Sequence, residues 1–362
     1  MKIVLYSNKH RADDNRIIEL EAKTFAAAGY ETAVYGRTQG TDSKDEGIRI
    51  CSCKEKGREC LEQCIAEDGD LYIFQDPGLL HCAVKLHKKG KKVLFDAHEN
   101  YEEKMKSRFS SRFPYLKAFR KLFAKCWWLY EKRCISAIDG TVCADRTVQK
   151  KYGDKSFLLP NMPSRLFYEN LPERTADESV FRLIYVGTLT WDRGIVETIQ
   201  AMRICRHRNI EFHVIGDTSD EKLRDYIRNA EQTIWHGRVK WSNLKDYLVN
   251  ADTGTILLQP TEAYLYYPGE NIVKLWEYMS IGIPVLLSDF PALRELNENL
   301  KFGKNVQSDN LQEIANAIDW LIDHPEERRK MGKNGRACVQ EHYNAHTYTK
   351  GLLEFIENEI LH

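Results

Sequence analysis

Gly269-Glu-Asn-Ile-Val-Lys-Leu-Trp-Glu-Tyr-Met-Ser-Ile-Gly-Ile-Pro-Val-Leu-Leu-Ser-Asp289 reads as a short helix, Ile272 to Ser280, followed at once by an apolar strand. Gly282 and Pro284 close the helix, because glycine tolerates the left-handed turn and proline cannot continue a helix. A helix running straight into a buried strand is one repeat of a parallel sheet covered by helices. Lys274 and Glu277 are three apart and share a helix face. A carboxylate there can accept two hydroxyl hydrogen bonds, as a ribose offers, and the ammonium suits phosphate or a sugar hydroxyl. Alone, such a pair is more often a surface ion pair.

The same alternation runs outward in both directions. Upstream strands are expected at Lys2–Ser7, Glu31–Tyr35, Ile48–Cys51, Leu71–Gln75, Lys92–Asp96, Gly140–Cys143 and Phe157–Leu159. Around the quoted stretch they are expected at Arg182–Val186, Glu211–Ile215, Thr233–His236, Gly254–Leu258, Ile283–Ser288 and near Asn305. Helical periodicity separates them, as at Arg16–Ala28, Gly194–Arg206 and Leu311–Ile322. Short apolar runs between helices predict parallel sheets covered on both faces. A chain of 362 residues exceeds one ordinary core. Two doubly wound domains are therefore expected, joined through Pro160, Pro163 and an exposed polar linker.

Charge and composition narrow the function classes. Lys plus Arg and Asp plus Glu both number 53, so no global field recruits nucleic acid. No apolar run reaches membrane-span length, and Met1 to Ser7 reads as a buried strand without a signal core. A cytoplasmic protein is expected, without disulfides. Most of the ten cysteines read as small core residues, and their spacing lacks the paired knuckles of a zinc site.

Leu183-Ile-Tyr-Val-Gly-Thr-Leu-Thr-Trp-Asp-Arg-Gly194 is a strand, a glycine turn and a helix start. Free N–H groups and the positive dipole end there suit a diphosphate. Gly187 would let the backbone approach closely, and Arg193 would add a forked donor.

Together these stretches resemble the retaining glycosyltransferases of family 4. Glu277 and the Glu-Tyr-Met-x-x-Gly-x-Pro-Val run match the donor-binding signature, in which the second glutamate holds the ribose. The first glutamate of that signature, which touches the donor sugar, falls on Gly269, with Glu270 one residue late. The resemblance thus leaves Glu270, Lys274 or a backbone group to face the sugar. Arg193-Gly194 matches the basic pair that binds the diphosphate, and Thr188 stands where a further arginine is usual. Phe212-His-Val-Ile-Gly-Asp217, with Gly216, resembles the next strand and turn. Trp235-His-Gly-Arg-Val239 resembles the segment cradling the base, so Gly237 and Val239 are its expected neighbours. The resemblance implies the GT-B fold: two Rossmann-like doubly wound domains facing a central cleft, over 1–165 and 166–341. Residues 342–362 would be a helix packing back on the N-terminal domain.

In the N-terminal half, Val93-Leu-Phe-Asp-Ala-His-Glu-Asn-Tyr101 places Asp96, His98 and Glu99 past a strand end, where open α/β sheets bind ligands. By the resemblance, His98 serves the donor sugar, and Glu99 serves the acceptor or orients His98. Asp76 is a weaker candidate on the same rim. Ser7 to Arg16 reads as a polar, mobile loop; Asp14 and Arg16 could contact acceptor or phosphate or cap the next helix, and capping is preferred for Asp14.

Lys104 to Arg133 holds ten basic residues and one acid, Glu131. Leu116, Phe119, Phe123, Cys126, Trp127, Tyr130 and Cys134 recur at helical spacing, as on an ordinary core-facing helix. The basic and aromatic excess also fits a helix lying on an anionic bilayer.

The resemblance thus implies transfer of a sugar from a nucleotide-sugar donor, with retention and without a metal or other cofactor. The acceptor would be a glycan or polyprenyl-linked sugar of cell-surface polysaccharide, met at the inner face of the membrane. His98, Glu99, Arg193 and Lys274 would carry the chemistry. Two readings stay open beside it. A GT-B relative such as a sugar-nucleotide epimerase would need paired carboxylates facing the sugar. A nucleotide-sugar-binding module without turnover is allowed by the departures at Thr188 and Gly269.

Overall fold

The computed structural model describes residues 1–12, 14, 16–37, 42–52, 58–98, 100–102, 117–261, 264 and 271–361. They form two compact units, Met1–Asn161 with Ala345–His362, and Met162–Asn344. The division falls between Asn161 and Met162, within the Pro160–Pro163 stretch.

The first unit holds eight strands: β1 (Lys2–Arg11), β2 (Glu31–Arg37), β3 (Ser43–Asp45), β4 (Ile48–Ser52), β5 (Leu71–Phe74), β6 (Lys92–Ala97), β7 (Gly140–Cys143) and β8 (Ser156–Leu158). Their order is β3-β4-β2-β1-β5-β6-β7-β8. All neighbours are parallel except β3, which pairs antiparallel with β4. The alternating strand residues feed two cores. Val4, Tyr6, Tyr72 and Phe74 enter one, and Ile3, Leu5, Leu71 and Ile73 enter the other. This is the period-2 pleat of strands buried on both faces.

The chain returns to that second core at its end. Leu352, Ile356 and Ile360 pack there, Phe355 stacks on Phe157 at 5.6 Å, and the Tyr30 hydroxyl donates to Glu357 over 2.8 Å. Each fully buried aliphatic side chain contributes roughly 1.5–3 kcal/mol relative to exposure.

The second unit holds β9 (Phe181–Val186), β10 (Ile210–Ile215), β11 (Thr233–Gly237), β12 (Thr253–Ile256), β13 (Val285–Ser288) and β14 (Gly303–Val306), in the order β11-β10-β9-β12-β13-β14. Every pair is parallel. The order reverses between β9 and β12, and in the first unit between β1 and β5. Such switch points open a crevice beyond the strand ends, where ligands bind.

Four expectations need correction. The segment after Tyr6 continues β1 to Arg11, because Asp76 and Ser7 accept the N–H groups of Asn8, Lys9 and His10. The connector is not simply exposed: Leu159, Met162 and Phe167 are buried, and Asn250 accepts the N–H groups of Thr175 and Ala176. Cys60 is disulfide-bonded, while eight other cysteines are free. On the helix Lys117–Ile135 the expected core stripe splits. Cys134 is buried, but Phe123 (47%) and Tyr130 (39%) are exposed, together with Leu122 (59%) and Leu129 (57%).

Candidate functional site

In the second unit the site begins where β9 ends. Gly187 leaves the strand at φ 132°, and its N–H donates to the Ile215 carbonyl over 2.9 Å. Gly216 follows β10 at φ 140°, and its N–H donates to the Gly237 carbonyl over 2.8 Å. A Cβ on Gly216 would lie 1.8 Å from the Gly187 oxygen, so a side chain is sterically excluded there. Three of the expected glycines thus line up across neighbouring strand ends. Val239 follows Gly237, half-buried, while Thr188 is exposed and uses its backbone oxygen to accept the Tyr185 hydroxyl.

The turn continues through a single 3₁₀ turn, Trp191–Arg193, into the helix Ile195–Ile204. Gly194 caps that helix in the left-handed conformation at φ 75°. A Cβ on Gly194 would meet the Leu257 oxygen at 2.1 Å, so the helix start is packed hard against the chain leaving β12.

The helix Val273–Ile281 supplies the charged groups. The Lys274 ammonium lies 3.8 Å from the centre of the Tyr185 ring, a cation–π contact. Burial holds it well below the usual ammonium range, Arg193 acts in the same direction, and Glu277 partly opposes both. Arg193 lies over the Tyr264 ring at 5.0 Å, and its buried Nε has no acceptor. Among the described residues neither cation forms an ion pair. Two like charges near each other in a partly desolvated turn repel, which a compensating anion relieves and which otherwise favours the neutral lysine. Glu277 is 6% exposed, and its Oε1 accepts the Trp241 indole N–H over 2.9 Å. Burial raises its pKa, against the lowering effect of Trp241 and Lys274. Glu270 and Gly269 lie outside the described residues.

His236 is a structural residue. Its Nε2 meets His213 Nδ1 at 3.0 Å, and its ring packs on His213 and on Tyr247.

In the first unit, His98 follows β6 with its side chain 9% exposed. Its Nε2 lies 2.8 Å from Asp96 Oδ2 and 2.5 Å from Gln75 Oε1, and its ring packs on His10 at 4.4 Å. Asp96 is fully buried and gripped by Arg16, Nε to Oδ2 at 2.8 Å and Nη2 to Oδ1 at 2.6 Å. That pair holds the Asp96 carboxyl below its usual range despite burial. Arg16 is therefore not free for a phosphate. Asp14 accepts the Arg16 N–H at 3.0 Å, as a cap does. Asp76 is 1% exposed and anchors the β1 extension, its Oδ2 accepting from the Ser7 hydroxyl and from the N–H groups of Asn8 and Lys9. Glu99 lies outside the described residues.

The sequence did not single out Tyr185, Trp241 or Gln75, and it offered Arg16 for phosphate or acceptor rather than for Asp96. Tyr185 sat inside the quoted strand, where alternation marks it only as core. Trp241 and Gln75 carried no local signal, since their partners are remote in the chain. Among the described residues no group of three or more His, Cys, Asp and Glu could hold a metal ion.

Known proteins resemble this chain in sequence and in fold. Residues 169–338 match the family described as "Glycosyl transferases group 1". The amylovoran biosynthesis glycosyltransferase AmsK of Erwinia amylovora is 26% identical over 201 residues, 52% of this chain and 47% of that protein. The aligned stretch is thus less than half the length of the curated relatives it matches. Sucrose-phosphate synthase from Thermosynechococcus elongatus superposes with a TM-score of 0.72 at 15% identity, over 99% of this chain and 98% of that one. Anabaena HepE, in complex with UDP and glucose, superposes with a TM-score of 0.70 at 13% identity, over 99% of each chain. The chain thus has the two-domain α/β fold of GT-B proteins, and its residues 169–338 match the glycosyl transferases group 1 family.

Proposed function

We propose that the protein is a glycosyltransferase, moving a sugar from a nucleotide-sugar donor to a glycan or lipid-linked acceptor of cell-surface polysaccharide. The observation that carries this is the unpaired cation couple. Arg193 and Lys274 flank a glycine turn at the β9 strand end, and among the described residues neither forms an ion pair. A nucleoside diphosphate supplies a compensating anion. Glu277, three residues on, offers its carboxylate to a ribose.

In this reading the two cations stabilise charge growing on the departing diphosphate, as preorganised electrostatics. No metal ion or other cofactor takes part. The sugar keeps its configuration, and the departing phosphate accepts the acceptor's proton. His98 serves the donor sugar, and Glu99 and Glu270 keep the roles the family likeness implies. AmsK is named for amylovoran biosynthesis and HepE was crystallised with UDP and glucose, which favours this class of donor and product. The exposed Leu122, Phe123, Leu129 and Tyr130, interleaved with Lys125, Lys132 and Arg133, support contact with an anionic membrane at its inner face.

A thermal-shift series with UDP, GDP, ADP, CDP and dTDP tests the site, since a ligand of the native state raises the melting point. One of them should do so, and purified protein should then transfer or hydrolyse the matching sugar nucleotide. No shift with any of the five would remove the proposal. Binding without turnover on any acceptor would leave only a binding module.

A further inference from the structure

Behind His98 lies a chain of buried polar groups that donor binding does not require. Gln75, fully buried just past β5, gives its amide N–H to Glu21 Oε2 over 2.6 Å. Its carbonyl end is thereby turned toward His98 Nε2, 2.5 Å away. The same ring nitrogen faces Asp96 Oδ2 at 2.8 Å. Two oxygens that can only accept thus converge on one nitrogen, since Asp96 is already ionised against Arg16. A nitrogen between two acceptors must carry the proton.

We propose that Glu21 and Gln75 are positioning residues that fix which end of the Gln75 amide meets His98. They thereby hold the ring as its Nε2–H tautomer and leave Nδ1 to meet the sugar. This rests on the reading that His98 serves the donor sugar. Glu21 acts through Gln75. If the amide turned over, its NH2 would oppose the His98 N–H, and the ring would be driven off Asp96. Glu21 is fully buried, and among the described residues its Oε1 has no partner and the Gln75 amide is its one hydrogen-bond donor. Such a group is costly unless it has a task. Burial, with Asp96 nearby, pushes the Glu21 carboxyl well above its ordinary range. A neutral Glu21 still accepts through its carbonyl oxygen, and it sets no second negative charge beside Asp96. Among the described residues the other titratable groups facing His98 are His10, stacked on it, with Asp76 and Asp14 behind that ring.

The direct test is the imidazole nitrogen NMR spectrum of selectively labelled full-length protein. Wild type should show a proton on His98 Nε2 held between its two acceptors, and an Nε2 without a proton would overturn the proposal. Gln75→Leu removes one of the two acceptors and should shift the Nε2–H signal of His98; an unchanged signal would overturn it too. Glu21→Leu should lower turnover of the sugar nucleotide roughly ten- to a hundredfold with nucleotide affinity unchanged. Glu21→Gln, which still offers a carbonyl to Gln75, should restore most of it. Equal losses in both variants would mean that Glu21 is only a packing residue. If Glu21→Leu fails to fold, the two spectroscopic measurements decide. Full turnover in His98→Ala would remove the sugar role of His98 while leaving the tautomer result standing, so the two failures are distinguishable.

Discussion

Gly187 and Lys274 are so close that a Cβ on the glycine would lie 2.8 Å from the lysine ammonium. The glycine's φ of 132° is also one that side-chain-bearing residues rarely adopt. Gly187→Ala should therefore cost about 1–3 kcal/mol of stability through backbone strain. It should also push the ammonium off its place over Tyr185. Denaturant unfolding and nucleotide titration measure the two effects separately, and a variant as stable as wild type would contradict the strain.

Lys274 is held below its usual pKa by burial and by Arg193. A bound diphosphate would restore the charged form, so binding should take up protons. Calorimetry in buffers of unlike ionisation heat should show this at about pH 8.5, where a terminal phosphate with pKa near 6 is already fully ionised. Lys274→Met should abolish the uptake and weaken binding. Equal heats across buffers in wild type would refute the assignment. The sign for stability is the same: the unfolded chain binds this proton more tightly, so stability gains as pH rises from the lowered folded pKa toward the unfolded one.

Glu277 has the opposite shift, its pKa raised by burial. A raised carboxyl favours the folded state below the unfolded pKa, and that advantage is lost as pH rises through the folded value. Glu277→Gln keeps an acceptor for the Trp241 N–H but removes the buried charge. The unliganded variant should melt higher than wild type at pH 7, with the difference vanishing near pH 4. Its nucleotide affinity should fall roughly ten- to a hundredfold, the worth of a hydrogen bond to a charged group. A lower melting point together with unchanged affinity would contradict both halves.

Arg16 and Asp96 form a buried two-pronged pair. Arg16→Met should destabilise the first unit by about 3–5 kcal/mol, because an uncompensated carboxylate remains. The same change should leave nucleotide binding by the second unit unaltered. Loss of binding at full stability would instead make Arg16 a ligand residue.

The exposed face of the helix Lys117–Ile135 should bind vesicles containing anionic lipid in a salt-sensitive way. Leu122→Ser with Leu129→Ser should reduce co-sedimentation while leaving the fold intact, since both side chains are more than half exposed. Absence of wild-type binding at low salt would end the membrane reading.

Most strands were legible because apolar runs between helices have a period that the residues themselves carry. Gly140–Cys143 and Phe181–Val186 lie where the alternation puts them, within a residue. The short β3 was not legible, for Ser43-Lys-Asp45 has no apolar side chain and is a strand only through its pairing with β4. The helix from Lys117 shows the opposite failure: its periodicity is genuine, yet Phe123 and Tyr130 face outward. Periodicity says that residues share a face and is silent on what that face meets.

By itself the sequence determined the alternating elements, the glycine turns at Gly187 and Gly216, and the helix carrying Lys274 and Glu277. These follow from properties local to the chain: strand and helix periods, glycine's freedom at positive φ, and residues three apart on one face. Tertiary structure alone decided the partners. It set Trp241 on Glu277 across 36 residues and Arg16 on Asp96 across 80, and it turned Gln75 toward His98. Buried polar atoms must find complements, and the strand order that brings those complements within 3 Å is not written in the period of any segment.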